Sequence, residues 1–227
     1  MNRTVTVAEM TLRETARRRG VLVLLLILPL AFYFGRRGDH LGQSIRFVCL
    51  GLSWVLSAAA LFVGSAGRSL EPRLRLSGYR THHLFLGRLV ALWTLGVVVS
   101  TPYFLLIRFD QHDVRFGAIA VIMLLGVLVA PLLGLALSAL LPRDLEGMLI
   151  LMTVVGLQMV LDPAGNAARL LPFWYSREIG TYAIDHTSAG YFDRGLLHGA
   201  VTAALLLVLV AVAFGVRLRR RPHVRIV

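Results

Sequence analysis

The stretch FGAIAVIMLLGVLVAPLLGLALSALL, residues 116–141, contains 26 residues and no charged side chain. An α-helix needs about 20 predominantly apolar residues, within a range of about 17–25, to cross the hydrocarbon core of a bilayer. This stretch therefore predicts a helix that spans a membrane, and it sets the class of fold for the rest of the chain.

The composition of the whole chain agrees with a membrane protein. Of its 227 residues, 57% are hydrophobic and 16% are charged, and the mean hydropathy is +0.73. Soluble domains average about 45–50% apolar and about 25% charged residues. The net charge of +12 comes from arginine alone, because the sequence contains no lysine, and the single cysteine, Cys49, excludes a disulfide within the chain.

Five more apolar runs flank the first one, so that six spans are predicted in all. They cover residues 21–34, 47–63, 89–107, 116–141, 147–161 and 196–216. The first and fifth runs are short for a span. A cleaved signal peptide is an alternative for the first run, but no small-x-small cleavage site follows it. The sequence predicts an all-α integral membrane protein with six transmembrane helices.

The placement of arginine predicts the orientation of the spans. With the N-terminus in the cytoplasm, 16 arginines lie in cytoplasmic segments and 8 on the other side. Cytoplasmic loops carry the excess of basic residues in membrane proteins. We therefore expect a protein of the cell membrane with both termini cytoplasmic. The basic tail that begins at Arg217 is then a membrane anchor, and no nucleic-acid partner is expected.

A stripe of small residues marks one face of the fourth predicted span. The four residues recur at intervals of four, which places them together on a helix and lets another backbone approach closely. They are Gly126, Ala130, Gly134 and Ser138. The stripe has two interpretations: a helix that moves or dimerises, or tight packing within one chain.

Motifs for catalysis are absent from the sequence. A GxxxxGK[ST] phosphate loop is impossible without lysine, and no HExxH, CxxC or GxSxG occurs. Histidine and carboxylate residues do collect on the predicted outer side, in residue types that can bind metals but without ligand spacing. They are Asp39, His40, Asp110, His112, Asp113, Asp185, His186 and Asp193. No metal or catalytic site is predicted.

The segment RLRLSGYRTHHLFLGRLV, residues 73–90, connects the second and third spans. Its Leu76-Ser77-Gly78 resembles the start of the LSGGQ signature of ATP-binding cassettes, but the second Gly and the Gln are missing. Thr81 is predicted to cap a helix that continues into the third span. The leucines before it alternate with arginines, which predicts a short amphipathic segment on the cytoplasmic surface. A cytoplasmic partner could dock there.

In layout, the chain resembles the permease subunits of the type 2 ABC transporter family. The first cytoplasmic loop of that family has an acidic start, a leucine-rich stretch with a small-Pro step, and a Leu-Leu-x-Gly-Lys entry to the third span. The matching stretches here are residues 68–71, 74–78 and 84–88, with Glu71 as the acidic residue and Arg88 in place of the lysine. The small-Pro step is Ser77-Gly78, which suggests that Pro is tolerated at position 78, and the family's Gly-Thr is missing.

The resemblance implies the partners and the site. A second permease copy, identical or not, and two cytoplasmic ATP-binding cassette subunits would complete the transporter, with ATP and Mg²⁺ on those subunits and no cofactor in this chain. Residues 67–88 would contain the coupling helix, an interfacial helix would cover residues 9–19, and re-entrant short helices would precede the sixth span. The implied contacts to the ATPase are Glu71, Arg75, Tyr79, Arg80 and His82.

The implied activity is export of a hydrophobic or amphiphilic molecule, because the predicted spans have no charge in their interiors. Two alternatives stay open at this point. One is a membrane-embedded enzyme that acts on a lipid through the outer Asp and His residues. The other is an accessory membrane protein without transport activity.

Overall fold

The computed structural model describes residues 3–35, 37, 41–162 and 165–219, and within these residues the chain is helical with no β-strand. The α-helices in chain order are α1 (Arg3–Arg17), α2 (Arg19–Phe34), α3 (Leu41–Ala66), α4 (Glu71–Leu76), α5 (Thr81–Asp110), α6 (Phe116–Leu140), α7 (Asp144–Val160), α8 (Asn166–Arg169), α9 (Trp174–Ile184) and α10 (Ala189–Arg219). A 3-10 turn, Gly67–Ser69, joins α3 to α4. The all-helical prediction is confirmed for the described residues.

Four helices, α3, α5, α6 and α10, are long and apolar enough to cross a membrane. The helices that correspond to the first and fifth predicted spans, α2 and α7, have 16 and 17 residues. At 1.5 Å per residue, helices of this length measure about 24–26 Å, whereas the hydrocarbon core is about 30 Å thick. The described residues therefore contain four helices of full spanning length, and crossings by α2 and α7 stay a prediction.

Contacts between distant parts of the chain define two ends of the helix bundle. At one end, which we call the α4 end, the Arg68 side chain donates hydrogen bonds to the carbonyls of Ser138 and Leu141, where α6 finishes. At the other, which we call the α9 end, the Arg115 side chain donates to the carbonyl of Tyr182 in α9. Helices α3, α5 and α6 thus alternate in direction between the two ends, and α10, whose start contacts α9 and whose Phe214 contacts Phe85 of α5, runs parallel to α6.

The centre of the bundle is α6 packed against α3. The small-residue stripe of α6 lies along this contact: the Ser57 hydroxyl of α3 donates to the Ala130 carbonyl at 2.9 Å, and the Ser57 carbonyl occupies the place that a Cβ on Gly134 would take. Ser138 in turn lies against Gly64 of α3. The stripe is covered within the chain, which favours intramolecular packing over a face for dimerisation.

The amphipathic helix α1 begins at Arg3, six residues before the predicted segment, and lies across the start of α5. Val7 and Ala8 are its buried apolar residues. A Cβ on Gly87 of α5 would lie only 2.6 Å from the Cβ of Val7, so that glycine lets α1 approach the α5 backbone closely. The chain leaves α1 at Arg18 and enters α2 at once.

Two short helices, α8 and α9, precede α10 in the region where the resemblance implies re-entrant helices, and their re-entry into the membrane stays a prediction. The buried apolar face of α9 contains Tyr175, Ile179 and Ala183, which recur at helical spacing. Through this face α9 packs against α10, α6 and α3. Burial of α9 against three helices makes it part of the bundle core at the α9 end.

Candidate partner-coupling site

The segment between α3 and α5 is a short helix with defined ends. Helix α4 starts at Glu71-Pro72, and proline fits the first turn of a helix because that turn uses no proline N–H. At its other end, the Tyr79 N–H donates to the Leu74 carbonyl at 3.1 Å and the Gly78 N–H to the Arg75 carbonyl at 3.0 Å. This pair of bonds is a Schellman motif.

Gly78 has φ of 83°, the left-handed conformation that this helix end requires. Proline is locked near φ of −65° and has no N–H to donate. The expectation that proline is tolerated at position 78 is therefore wrong, because both the backbone angle and the hydrogen bond to Arg75 exclude it.

An ion pair inside the protein ties α4 to α5. Arg88 Nη1 lies 2.6 Å from Glu71 Oε1, and the two side chains are only 5% and 6% exposed. Gly67 lies against the Arg88 guanidinium so closely that any side chain there would overlap it. Glu71, predicted as a contact for the ATPase, is thus turned inward, and its burial favours a role in positioning α4.

Arg68 attaches the same segment to the end of α6. Its guanidinium donates to the carbonyls of Ser138 at 2.6 Å, Leu141 at 2.9 Å and Pro142 at 2.8 Å. The last carbonyls of a helix lack partners within the helix and carry partial negative charge, so that an arginine there both satisfies and neutralises them. The 3-10 turn before α4 is held on α6 by this contact.

A third attachment comes from α1. The Arg3 side chain donates a hydrogen bond to the Gly78 carbonyl, and its guanidinium lies 5.8 Å from the centre of the Tyr79 ring. Half-buried Tyr79 is therefore partly covered by α1. Residues 67–88, which we call the coupling segment, are thus fixed on three sides, by α1, α5 and α6.

Helix α5 begins one residue away from its predicted cap. Thr81 is its first helical residue, and Arg80 takes the cap position in an extended conformation. The Arg80 N–H donates to the His83 Nδ1 atom at 3.2 Å, as a Glu or Gln three residues after the cap does in a capping box. A histidine in this role is not a signal that sequence patterns reveal.

The outer surface of the segment is basic, and Leu76 is its most exposed large apolar residue. Arg75, Arg80 and His82 are exposed, as expected for partner contacts. Leu76 is 90% exposed, and the sequence analysis did not select it. Exposed leucine at the tip of a fixed helix is a signal for a docking contact, because a large apolar side chain gains free energy when a partner covers it.

This arrangement suits binding rather than catalysis. Its one carboxylate, on Glu71, is buried in an ion pair, and its exposed groups are guanidinium, imidazole, hydroxyl and aliphatic side chains. Such a surface can grip an acidic and apolar groove on another protein, and it can transmit force because α4 is attached to the helices behind it.

The outer Asp and His residues that the structure describes have separate partners. Asp113 lies 3.1 Å from His186, and Asp185 lies 2.6 Å from Arg46. Asp110 accepts hydrogen bonds from Tyr33 and other residues. No group of three potential metal ligands occurs among the described residues. Asp39 and His40 lie outside those residues.

The sequence of this chain matches a known protein family. The sequence model of the family described as "ABC-2 type transporter" matches residues 13–179, which include α1 after its third turn, the whole coupling segment and most of the bundle. The comparison with individual curated proteins found no match. The family match covers more than half of the chain, and the chain therefore belongs to the ABC-2 type transporter family as a permease, a transmembrane component of transport.

Proposed function

We propose that the chain is the membrane-spanning subunit of an ATP-driven exporter for a hydrophobic or amphiphilic molecule. The observation that carries this proposal is the fixed coupling segment, whose exposed surface is centred on Arg75, Leu76 and Arg80. A cytoplasmic ATP-binding cassette subunit would grip this surface. That subunit would bind ATP and Mg²⁺ and hydrolyse the ATP, since this chain has no phosphate loop.

A second permease copy, identical or a sister chain, would complete the transmembrane pathway. Membership in the family supports this pairing, because one permease and one ATPase together would form one half of a transporter with two-fold symmetry. The pathway between the copies would be apolar, and this favours a hydrophobic or lipid-like cargo over a small ion.

In the proposed topology all six apolar helices cross the cell membrane, and both termini and the α4 end are cytoplasmic. Helices α2 and α7 support it with apolar residues exposed on their outer faces, among them Leu24 and Ile27 in α2 and Leu149 and Met152 in α7. Slight thinning of the bilayer or a less tilted course accommodates a short helix at modest free-energy cost. Helices α8 and α9 would be the re-entrant pair on the outer side.

Cysteine labelling tests this topology. In a Cys49→Ala background, a single cysteine at position 75 should not react with an impermeant thiol reagent in intact cells, because the α4 end faces the cytoplasm. A single cysteine at position 113, at the α9 end, should react. External labelling at position 75 would contradict the proposed orientation.

The proposed partner is tested by changing the exposed coupling surface. Tyr79→Ala with Arg80→Ala removes an aromatic and an arginine contact, which at the centre of an interface often contribute about 2 kcal/mol each. When the chain is co-expressed with a candidate ATP-binding cassette protein that co-purifies with the unchanged chain, co-purification of that protein and stimulation of its ATPase activity should fall at least about ten-fold. Membrane insertion should be unchanged.

A matched control carries the same two changes at the opposite end of the bundle, at Tyr191 and Arg108. This double variant should retain the ATPase subunit, because neither residue lies at the α4 end. Wild-type co-purification and transport by the Tyr79 and Arg80 variant would show that the segment is only a linker. ATP hydrolysis by the purified chain alone would contradict the division of labour between the subunits.

A further inference from the structure

Two cavities at the α9 end share two arginines in their linings. The smaller, of about 360 Å³, is bounded by residues of α3 and α9 and by the end of α7, and the larger, of about 700 Å³, extends from α9 towards the start of α10. Arg46 of α3 and Arg177 of α9 line both. Volumes of this order are typical of ligand sites.

Positive charge exceeds negative charge around these cavities. Their joint lining contains four arginines and two carboxylates, namely Arg46, Arg169, Arg177, Arg194, Glu178 and Asp185. Each carboxylate already has an arginine: Asp185 lies 2.6 Å from Arg46, and Glu178 lies 2.9 Å from Arg194. A negatively charged ligand would therefore complement the excess positive charge of this lining.

Of the four arginines in this lining, Arg177 is the one whose positive charge is disfavoured by its surroundings. Partial burial lowers the pKa of its guanidinium, and the nearby charge of Arg46 lowers the pKa further, while Asp162 and Glu178 act in the opposite direction. Its Nη1 donates one long hydrogen bond, 3.4 Å, to the Leu161 carbonyl. Two neighbouring like charges out of bulk water are stabilised when an anion lies close to both.

Two residues in the lining of the smaller cavity each have one buried polar atom without a hydrogen-bond partner. The Nε–H of Arg46 and the Oε1 of Gln158 are buried, and neither has a hydrogen-bond partner among the described residues. A guanidinium binds phosphate oxygens well because several N–H groups lie in one plane. A hydroxyl beside the phosphate could donate to Gln158, which would satisfy both atoms with one ligand.

The smaller cavity also has an apolar wall. Phe47, Leu50 and Phe173 line it together with the polar groups. Beyond it, the end of α7 exposes Val160 to 82%, which is a surface for hydrocarbon rather than for water in a membrane protein. A ligand with a phosphate at the arginines would have its apolar portion along this wall.

We propose that Arg46 and Arg177 bind the phosphate group of an anionic amphiphile, with the apolar part of that molecule against the wall of the smaller cavity. The shared chemistry is a phosphate group, which a lipid-like molecule or dissolved phosphate can supply, and the apolar wall favours the former. The proposal deepens the proposed export function, because it names the class of molecule that is bound at the α9 end. It rests on that function only in taking the bound molecule to be the exported one.

Tryptophan fluorescence gives a direct test, because Trp174 lines the larger cavity with both arginines. With Trp54→Phe and Trp93→Phe, Trp174 is the only tryptophan left. The full chain in phosphatidylcholine nanodiscs is compared at increasing fractions of brominated phosphatidylglycerol or brominated phosphatidylcholine. We expect half-maximal quenching by the anionic lipid at a fraction about ten-fold lower, as for a charge-assisted contact.

Arg177→Gln removes one charge without disturbing the Arg46–Asp185 pair, and it should abolish most of the preference for phosphatidylglycerol. The control is Arg108→Gln, which removes an arginine at the same end that stacks on Phe116 at 4.3 Å and lines neither cavity. This control should keep the preference. Equal quenching by both lipids in the unchanged chain, or an unchanged preference in Arg177→Gln, would overturn the proposal.

Inorganic phosphate separates the two sources of the phosphate group. Millimolar phosphate, compared with chloride at equal ionic strength, should leave the quenching by brominated phosphatidylglycerol unchanged if the ligand is an amphiphile. If phosphate reduces the quenching by brominated phosphatidylglycerol, the ligand is a dissolved anion, and the proposal of an amphiphile is overturned. The measurement needs no ATPase, so a failure here is distinct from a failure of the proposed transport function.

Discussion

Loss of one member of the Glu71–Arg88 pair should weaken the protein and detach the coupling segment from α5. Both side chains are almost fully buried and their charged atoms lie 2.6 Å apart. Glu71→Ala leaves the Arg88 guanidinium without its carboxylate, and Arg88→Met leaves the carboxylate without its guanidinium. A buried charge that loses its partner destabilises a protein by about 3–5 kcal/mol.

The expected shift in thermal stability follows from the size of the chain. For chains of about 150–250 residues, 1 kcal/mol corresponds to about 2–4 °C in the unfolding temperature. Either single variant should therefore unfold about 6–20 °C earlier than the unchanged protein. The double variant Glu71→Leu with Arg88→Met replaces both charges by apolar groups, and it should recover most of the loss, because no unpaired charge remains.

Heating in detergent followed by fluorescence-detected size-exclusion chromatography measures these shifts. Because unfolding of a membrane protein in detergent is often irreversible, all variants are heated at one fixed rate. Glu9→Ala is the control, since Glu9 forms an exposed ion pair with Arg13 one helical turn away, and such pairs contribute less than about 1 kcal/mol. Glu71→Gln, which keeps an acceptor oxygen, should lie between the control and Glu71→Ala.

The same variants distinguish positioning from direct contact. If Glu71 only positions α4, the apolar double variant should regain both stability and stimulation of the ATPase. Single variants that unfold within about 2 °C of the unchanged protein, or losses that simply add in the double variant, would refute the ion pair as the attachment of α4 to α5.

Two further changes test the local geometry. Gly78→Ala places a side chain at φ of 83°, and it should lower stability by about 1–2 kcal/mol as measured by the same heating assay. Gly134→Ala pushes a Cβ into the Ser57 carbonyl of α3 and should cost about 1–3 kcal/mol. Gly156→Ala in α7 is its control, since a Cβ there meets nothing within 4 Å and alanine is the better helix former. Equal stability of the Gly134→Ala and Gly156→Ala variants would contradict the tight α3–α6 contact.

The sequence predicted the elements whose signal is local. The apolar run 116–141 became α6, Phe116–Leu140, and the helix expected from Thr81 into the third span became α5, Thr81–Asp110. Hydrophobic length and periodicity suffice for such helices, because burial of apolar side chains decides them. Hydrophobic length and periodicity do not locate helix ends. At the start of α5, His83 accepts the hydrogen bond from the N–H of the cap residue Arg80, and histidine is not in the usual set of capping residues.

The contacts that build the coupling site are not local and were therefore not predicted. Arg68 binds the Ser138 carbonyl at the end of α6, and nothing in the sequence around either residue indicates the other. Glu71 illustrates the same limit: a glutamate in a surface loop is expected to face water, and here the approach of Arg88 across a glycine, Gly67, stabilises the buried carboxylate. Residue types set the candidates, and packing decides which of them face a partner.

In the proposed transporter, the three attachments explain how a small segment can move large helices. Force on α4 would reach α5 through the Glu71–Arg88 pair and α6 through Arg68, whereas a flexible loop would absorb it. The helix α5 has 30 residues, about 45 Å at 1.5 Å per residue, and it carries a displacement to the far end of the bundle. There, Asp110 accepts a hydrogen bond from Tyr33 of α2.

Burial of Glu71 leaves the exposed side of the coupling segment basic. The complementary groove on the ATPase should therefore be acidic.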